Sequence, residues 1–201
     1  MGNTTRRRVR VGAATALLAG AALTATSLTA GGPASGDGWE AKAVLRDATG
    51  ARVGTVRFEG DARGTEVKVV VNGITVGLDA FHGLHLHANE TGGPCSPVDP
   101  AFGNVGVHWS PSVAVHGHHE GDLPSLLVQA DGTGSARSVT QRFDPTQLGG
   151  RAVILHAGPD NLANVPTRYV TGTPPVAGPD TATKGTGDAG GRLACGVIER
   201  G

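Results

Sequence analysis

Aromatic side chains are scarce: Phe, Trp and Tyr together make up 3% of the 201 residues. A core of stacked rings is therefore excluded, and the interior has to be assembled from Val, Leu, Ile and Ala. Excess charge is absent as well, with 17 Lys plus Arg against 17 Asp plus Glu and a formal net charge of +0. Bulk electrostatics thus give no basis for a nucleic acid or an anionic membrane surface as partner. Cysteine is limited to Cys95 and Cys195, and none follows the N-terminal apolar run to take a lipid anchor. Internal repeats, long single-residue tracts and a convincing amphipathic helix are also missing, which argues against a helical or solenoid fold.

What is present begins with a basic opening, TTRRRVR, then the uncharged VGAATALLAGAALTATSLTA and the turn-forming GGPASGDG. This layout predicts a secretory signal peptide over 1–34, with cleavage points near Ala30 and Ala34, followed by one domain over 38–201. A retained membrane anchor is the alternative, since the uncharged run approaches ~20 residues, about one bilayer span. Ala, Thr and Gly make that run only weakly apolar, so export to the cell envelope or the exterior is expected, without stable membrane insertion after cleavage. Outside the cytosol a Cys95–Cys195 disulfide follows as the default.

Gly 33 and Pro 12 imply many turns between short elements. AKAVLRD, ARVGTVRFEG and TEVKVVVNG alternate apolar and polar residues, and GLHLHANE, LPSLLVQADG, ARSVTQRF, RAVILHAG and RLACGVIE add five candidate strands. Eight short strands predict an all-β antiparallel sandwich or flattened barrel. Two long segments interrupt them, Asn89 to Asp122 and Asn161 to Gly191, and loops of that length in a compact domain are usually functional or disordered. The second is bounded by His156 and Asp160 before it and Arg192 and Cys195 after it, which predicts a loop tied back onto the body.

Histidine is clustered: of positions 82, 85, 87, 108, 116, 118, 119 and 156, all but the last fall between His82 and His119. The stretch VHGHHEGDLP holds three of them with a glutamate and an aspartate, a composition that suits metal ligation better than loop filling. His85 and His87 are two apart on a strand, so both imidazoles point to one face. With His108 and His156 they give a nitrogen-rich set suited to copper or zinc. His116, His119 and Asp122, joined by His108, give three nitrogens and one oxygen, a set suited to tetrahedral zinc. One histidine then serves both ions.

In order along the chain, GLHLH, the lone His108, HEGDLP, GRAVILHAGPDN and GGRLACGVI, with a cysteine near each end, resemble the copper,zinc superoxide dismutases over about Ala41 to Ile198. The resemblance implies a Greek-key barrel with two functional loops and an enzyme that converts superoxide to dioxygen and hydrogen peroxide. It implies copper on His85, His87, His108 and His156, and zinc on His108, His116, His119 and Asp122, with His108 bridging. Asp160 corresponds to an aspartate linking a copper ligand to a zinc ligand, and Arg192 to the arginine beside copper that attracts and positions the anion. Cys95 and Cys195 correspond to the family disulfide. A homodimer is a further assembly that the resemblance raises, and bacterial members differ in their interfaces. Copper reduced by one superoxide and reoxidised by the next is the implied chemistry, with His108 releasing and regaining the metal as it picks up and gives back a proton.

The His116 to His119 separation is shorter than the family usually has, so a copper-only dismutase is one alternative, and a copper storage or delivery module is another. Few charges remain in the loop before Arg192, chiefly Lys184, Asp180 and Asp188. His82 is expected to be structural, His118 solvated and Trp109 a loop-packing residue, while Asp99, Asp131, Asp144 and Arg151 are expected as turn or surface charges.

Overall fold

The structure is a computed structural model that describes residues 39–98 and 100–201; the signal peptide read over 1–34 and Asp99 lie outside the described residues. Its main body is an 8-stranded antiparallel sheet. The strands are β1 (Glu40–Asp47), β2 (Arg52–Asp61), β3 (Gly64–Val71), β4 (Ala80–His87), β5 (Asp122–Val128), β6 (Gly134–Thr140), β7 (Ala152–His156) and β10 (Arg192–Arg200). Between the last two lie a small hairpin, β8 (Val170–Thr171) with β9 (Val176–Ala177), and one short helix, α1 (Thr181–Thr186).

Alternation produces the strands. In β1, Ala41, Ala43 and Leu45 are buried while Lys42 points to solvent, and in β3 Val67, Val69 and Val71 do the same against the exposed Val70. The spatial order is β5-β4-β7-β10-β1-β2-β3-β6, so the β3–β4 and β6–β7 connections both cross over other strands, as a Greek key requires. β5 and β6, at the two ends of this order, are joined by a tight turn. There Gln129 N donates to Thr133 O (2.7 Å) and Thr133 N to Asp131 Oδ1 (2.9 Å). The sheet therefore curls into a nearly closed barrel. Pro124, which has no N–H to donate, sits on β5, a terminal strand of the ladder.

The barrel interior is the aliphatic core that the composition demands: Leu45, Val56, Val69, Leu84, Leu86, Val153, Leu155 and Ile198 among others, with Phe58, Trp109 and Phe143 as the few rings. Truncating one such aliphatic residue to Ala costs about 2–5 kcal/mol. A second, smaller cluster lies on the outside of β7 and β10, where Phe102 and Val105 pack on Ala152, Ile154 and Cys195. The Cys95–Cys195 disulfide joins the same place, at a separation of 100 residues. These contacts fasten the 89–121 loop to the sheet.

All eight expected strands are present, with shifts at their ends. β5 starts at Asp122 itself and β6 ends at Thr140, ahead of Phe143, whose carbonyl is taken by Thr65 Oγ1 (2.7 Å). The hairpin and α1 were not expected: two-residue strands and a 6-residue helix are too short to show a period. The second long segment is tied back to the end of β7 through Ala157 N to Gly191 O (2.7 Å) and Gly158 N to Ala189 O (2.8 Å), and to the first long loop through His116 N to Lys184 O (2.7 Å). Asp180 caps α1 by accepting Thr183 N (2.8 Å), and Asp188 bonds Asn161 (2.9 Å), so both carboxylates serve the loop itself. Among the described residues no helix is long and apolar enough to cross a membrane.

Candidate metal centre

β4 sets the first half of the site. Leu84 and Leu86 face the barrel core, which turns His85 and His87 to the outer face, yet both are buried (0% and 1% exposed) beneath the two long loops. The sheet ladder aligns them with β7, His85 opposite Ile154 and His87 opposite Ala152. His156, the last residue of β7, pairs with Arg192, the first of β10. The first long loop returns His108 to this face through a bridge to His87 and a hydrogen bond from Trp109 N to Leu86 O (2.8 Å).

His85, His87, His108 and His156 each offer one ligand atom within 4.8 Å of the others, and all four are buried. Their remaining nitrogens are engaged. His87 Nδ1 donates to Gly106 O (2.8 Å), His156 Nδ1 to Gly190 O (3.2 Å), and His85 Nε2 meets Asp160 Oδ2 (2.6 Å). His85 Nδ1 is left buried with no hydrogen-bond partner in the protein. Burial, reinforced by neighbouring imidazoles, pushes the His87 pKa well below its usual value and that of His156 to about 3. Burial likewise takes His108 down to about 4 despite the pull of Asp122. Neutral imidazole is the form that binds a metal. A buried, unpartnered ring nitrogen on His85 beside three further imidazoles is chemically suited to copper.

The second half comes from one turn. Asp122 Oδ1 stands 3.1 Å from His108 Nδ1, 3.2 Å from His119 Nδ1 and 3.3 Å from His116 Nδ1. A tetrahedral ion with arms of about 2.0–2.1 Å has ligand-to-ligand edges of about 3.3–3.4 Å, so this spacing fits zinc. The other oxygen, Asp122 Oδ2, accepts from Gly117 N (2.6 Å) and His119 N (3.1 Å) and holds the turn closed. Gly117 adopts φ +90, a conformation that favours glycine. His85, His108, His116 and Asp122 also lie within 4.8 Å of one another, so His85 stands between the two halves, while His119 joins this one through Asp122 Oδ1.

Asp160 joins the halves, meeting His85 with Oδ2 and His116 Nε2 with Oδ1 (2.8 Å). Burial disfavours its charge, but hydrogen bonds from His116 and His85 outweigh this and hold it well below the usual carboxylate range. For Asp122 the same balance is struck by His108 and His116. Burial also opposes charge on His116, but these two carboxylates raise its pKa to about 9. Gly187, at φ +62, lies against the His116 ring so closely that a Cβ there would collide with it.

Arg192 borders the four-histidine cluster. Its guanidinium donates to Phe102 O and to Gly106 O (2.6 Å), the carbonyl that also takes His87 Nδ1. Among the described residues it has no carboxylate partner, and partial burial lowers its pKa from the usual value. His118 is exposed, and His82 is buried with its ring nitrogens on His156 O and Gly77 O (2.7 Å each). Trp109 is buried and packs beside Phe143, with ring centroids 5.9 Å apart. Arg151 follows the Gly149–Gly150 turn, donates to Gln147 O (2.9 Å) and in addition stacks over the Trp109 ring, 4.1 Å from its centroid. Sequence reasoning missed Arg142, which donates to the carbonyls of Gly117 (3.0 Å), His119 (3.1 Å) and Asp122 (3.1 Å). Nothing in a search for metal-ligating residue types singles out an arginine placed beyond the next strand.

A barrel with two adjoining donor clusters that share a histidine defines a two-metal protein. The family model described as copper/zinc superoxide dismutase (SODC) matches residues 52–198. Proteins named superoxide dismutase [Cu-Zn] are similar over most of the chain. That of Mycolicibacterium paratuberculosis is 38% identical, covering 78% of this chain and 73% of the relative. That of Mycobacterium tuberculosis is 41% identical, covering 76% and 67%. Among solved structures, a mutant SOD-like protein from Bacillus subtilis matches with a TM-score of 0.58 and 23% identity, covering 79% of this chain and 96% of that one, a likeness that bears on the fold. The chain belongs to the copper/zinc superoxide dismutase family.

Proposed function

We propose that this chain dismutes superoxide to dioxygen and hydrogen peroxide. In this reading His85, His87, His108 and His156 hold copper, and His108, His116, His119 and Asp122 hold zinc. Copper supplies the one-electron chemistry, alternating between two oxidation states, while zinc keeps one. Arg192, a fixed cationic fork without a carboxylate partner, attracts and orients the small anion. His108, whose Nδ1 is turned to Asp122, keeps Nε2 to take up and hand on a proton. Asp160 orients His85 and His116 together, so the two ligand sets move as one unit.

The observation that carries this reading is the convergence of one ring nitrogen from each of four buried histidines within 4.8 Å. Chelating the purified protein should abolish superoxide dismutation, and copper alone should restore it. Restoration by manganese or iron but not by copper would contradict the assignment.

Export of the mature domain is part of the same proposal. It is supported by the leader-like opening, by the Cys95–Cys195 disulfide and by an extracellular superoxide dismutase [Cu-Zn] of Brugia pahangi that is 30% identical. N-terminal sequencing of extracellular or envelope protein should find a start between about Ala30 and Asp37; an intact Met1 end in the cytosol would refute it. A homodimer, the assembly that the sequence resemblance raises, would double the monomer mass in light scattering.

A further inference from the structure

The turn holding His116, His119 and Asp122 has only two residues between its histidines, leaving little chain to brace it. Asp122 Oδ2 closes it from within, by accepting the amides of Gly117 and His119. From outside, Arg142 grips the same segment: Nη2 donates to Gly117 O, and Nη1 to both His119 O and Asp122 O. One guanidinium thus fixes the carbonyls of two metal-ligating residues and of the glycine that lets the turn close. Among the described residues Arg142 has no carboxylate partner, and its guanidinium donates to these three carbonyls. Together with His116, Asp122 and Asp160 it lines a surface groove, which makes the turn the wall between the second cluster and solvent.

We propose that Arg142 is a positioning residue for zinc: its fork holds the turn in the ligating shape and slows the escape of the ion into the groove. This rests on the reading that His108, His116, His119 and Asp122 hold zinc. An ammonium at the same place keeps the charge but cannot reach three carbonyls in fixed directions.

The test uses the metal-loaded protein and its variants Arg142→Gln, Arg142→Lys and, as a control on the neighbouring exposed side chain, Gln141→Ala. Zinc release to an excess of chromogenic chelator is timed, copper per chain is measured, and the thermal midpoint of each metal-free variant is recorded. Loss of groups that orient metal ligands typically costs about 10–100-fold in metal affinity. Arg142→Gln should therefore release zinc about 10–100-fold faster, with copper content and the metal-free midpoint matching Gln141→Ala. Arg142→Lys should also release it faster than the unmodified protein, because charge alone does not replace the fork. Unchanged release in both Arg142 variants would overturn the clamp while leaving the zinc site standing, and so would faster release matched by an equal loss of metal-free stability. Unmodified protein that retains no zinc would overturn the ligand assignment, and the clamp with it.

Discussion

Three of the four imidazoles on the proposed copper side stand on strands, whereas three of the four groups on the proposed zinc side come from the seven residues 116 to 122. The copper-side positions are dictated by the sheet ladder, with His85 and His87 registered against β7 and His156 against Arg192. The outer nitrogens of His87 and His156 then need only backbone carbonyls to orient their rings. On the zinc side the ladder places Asp122 alone, opposite His85, while His116 and His119 lie ahead of β5. Their positions are made by local bonds instead: Asp122 to two amides, Asp160 to His116, and Arg142 to three carbonyls. A site built on a sheet inherits its geometry, while a site built on a turn has to supply its own.

This contrast can be broken most severely at His119. His119→Ala removes one of the three imidazoles that meet Asp122 Oδ1 and should reduce zinc per chain to near zero in metal analysis, with copper largely kept. His118→Ala, on the exposed neighbour, should leave both metals in place. Equal zinc loss in the two variants would mean that the turn as a whole matters and not the ligand. Next in size is Arg192→Ala. It should lower kcat/KM for superoxide about 10–100-fold with copper content unchanged, because the lost group positions the anion; loss of copper with an unaltered rate per copper would contradict that role. The smallest effect is expected at Arg151→Met, which removes the cation over Trp109 beside the bridge residue His108. A loss of about 0.5–2 kcal/mol in denaturant unfolding follows from the cation–π contact, and no change in either metal should accompany it.

The same contrast decides what was legible in the sequence. Strands are read from a period of two, and the LHLH run shows both the buried leucines and the histidine pair because the two faces of β4 have different partners. The residues that converge on Asp122 could be named from their types and from the family pattern, and Gly117 is the residue type that so short a turn needs, but the bonds that close the turn could not be named. Those bonds run from backbone amides, Gly117 N and His119 N, which leave no periodic trace. Arg142 was invisible for the same reason: its acceptors are carbonyls, and any residue supplies a carbonyl. The place of Arg151 beside a turn was legible, but its stacking was not, because its partner Trp109 lies far away in sequence.

In the proposed reading two different ions sit side by side with His108 between them. Crystals of the metal-loaded protein, with anomalous difference maps recorded at the copper and zinc absorption edges, test it most directly. The account predicts a copper peak among His85, His87, His108 and His156, and a separate zinc peak among His108, His116, His119 and Asp122. Copper alone at the first position, or a zinc peak away from Asp122, would contradict it.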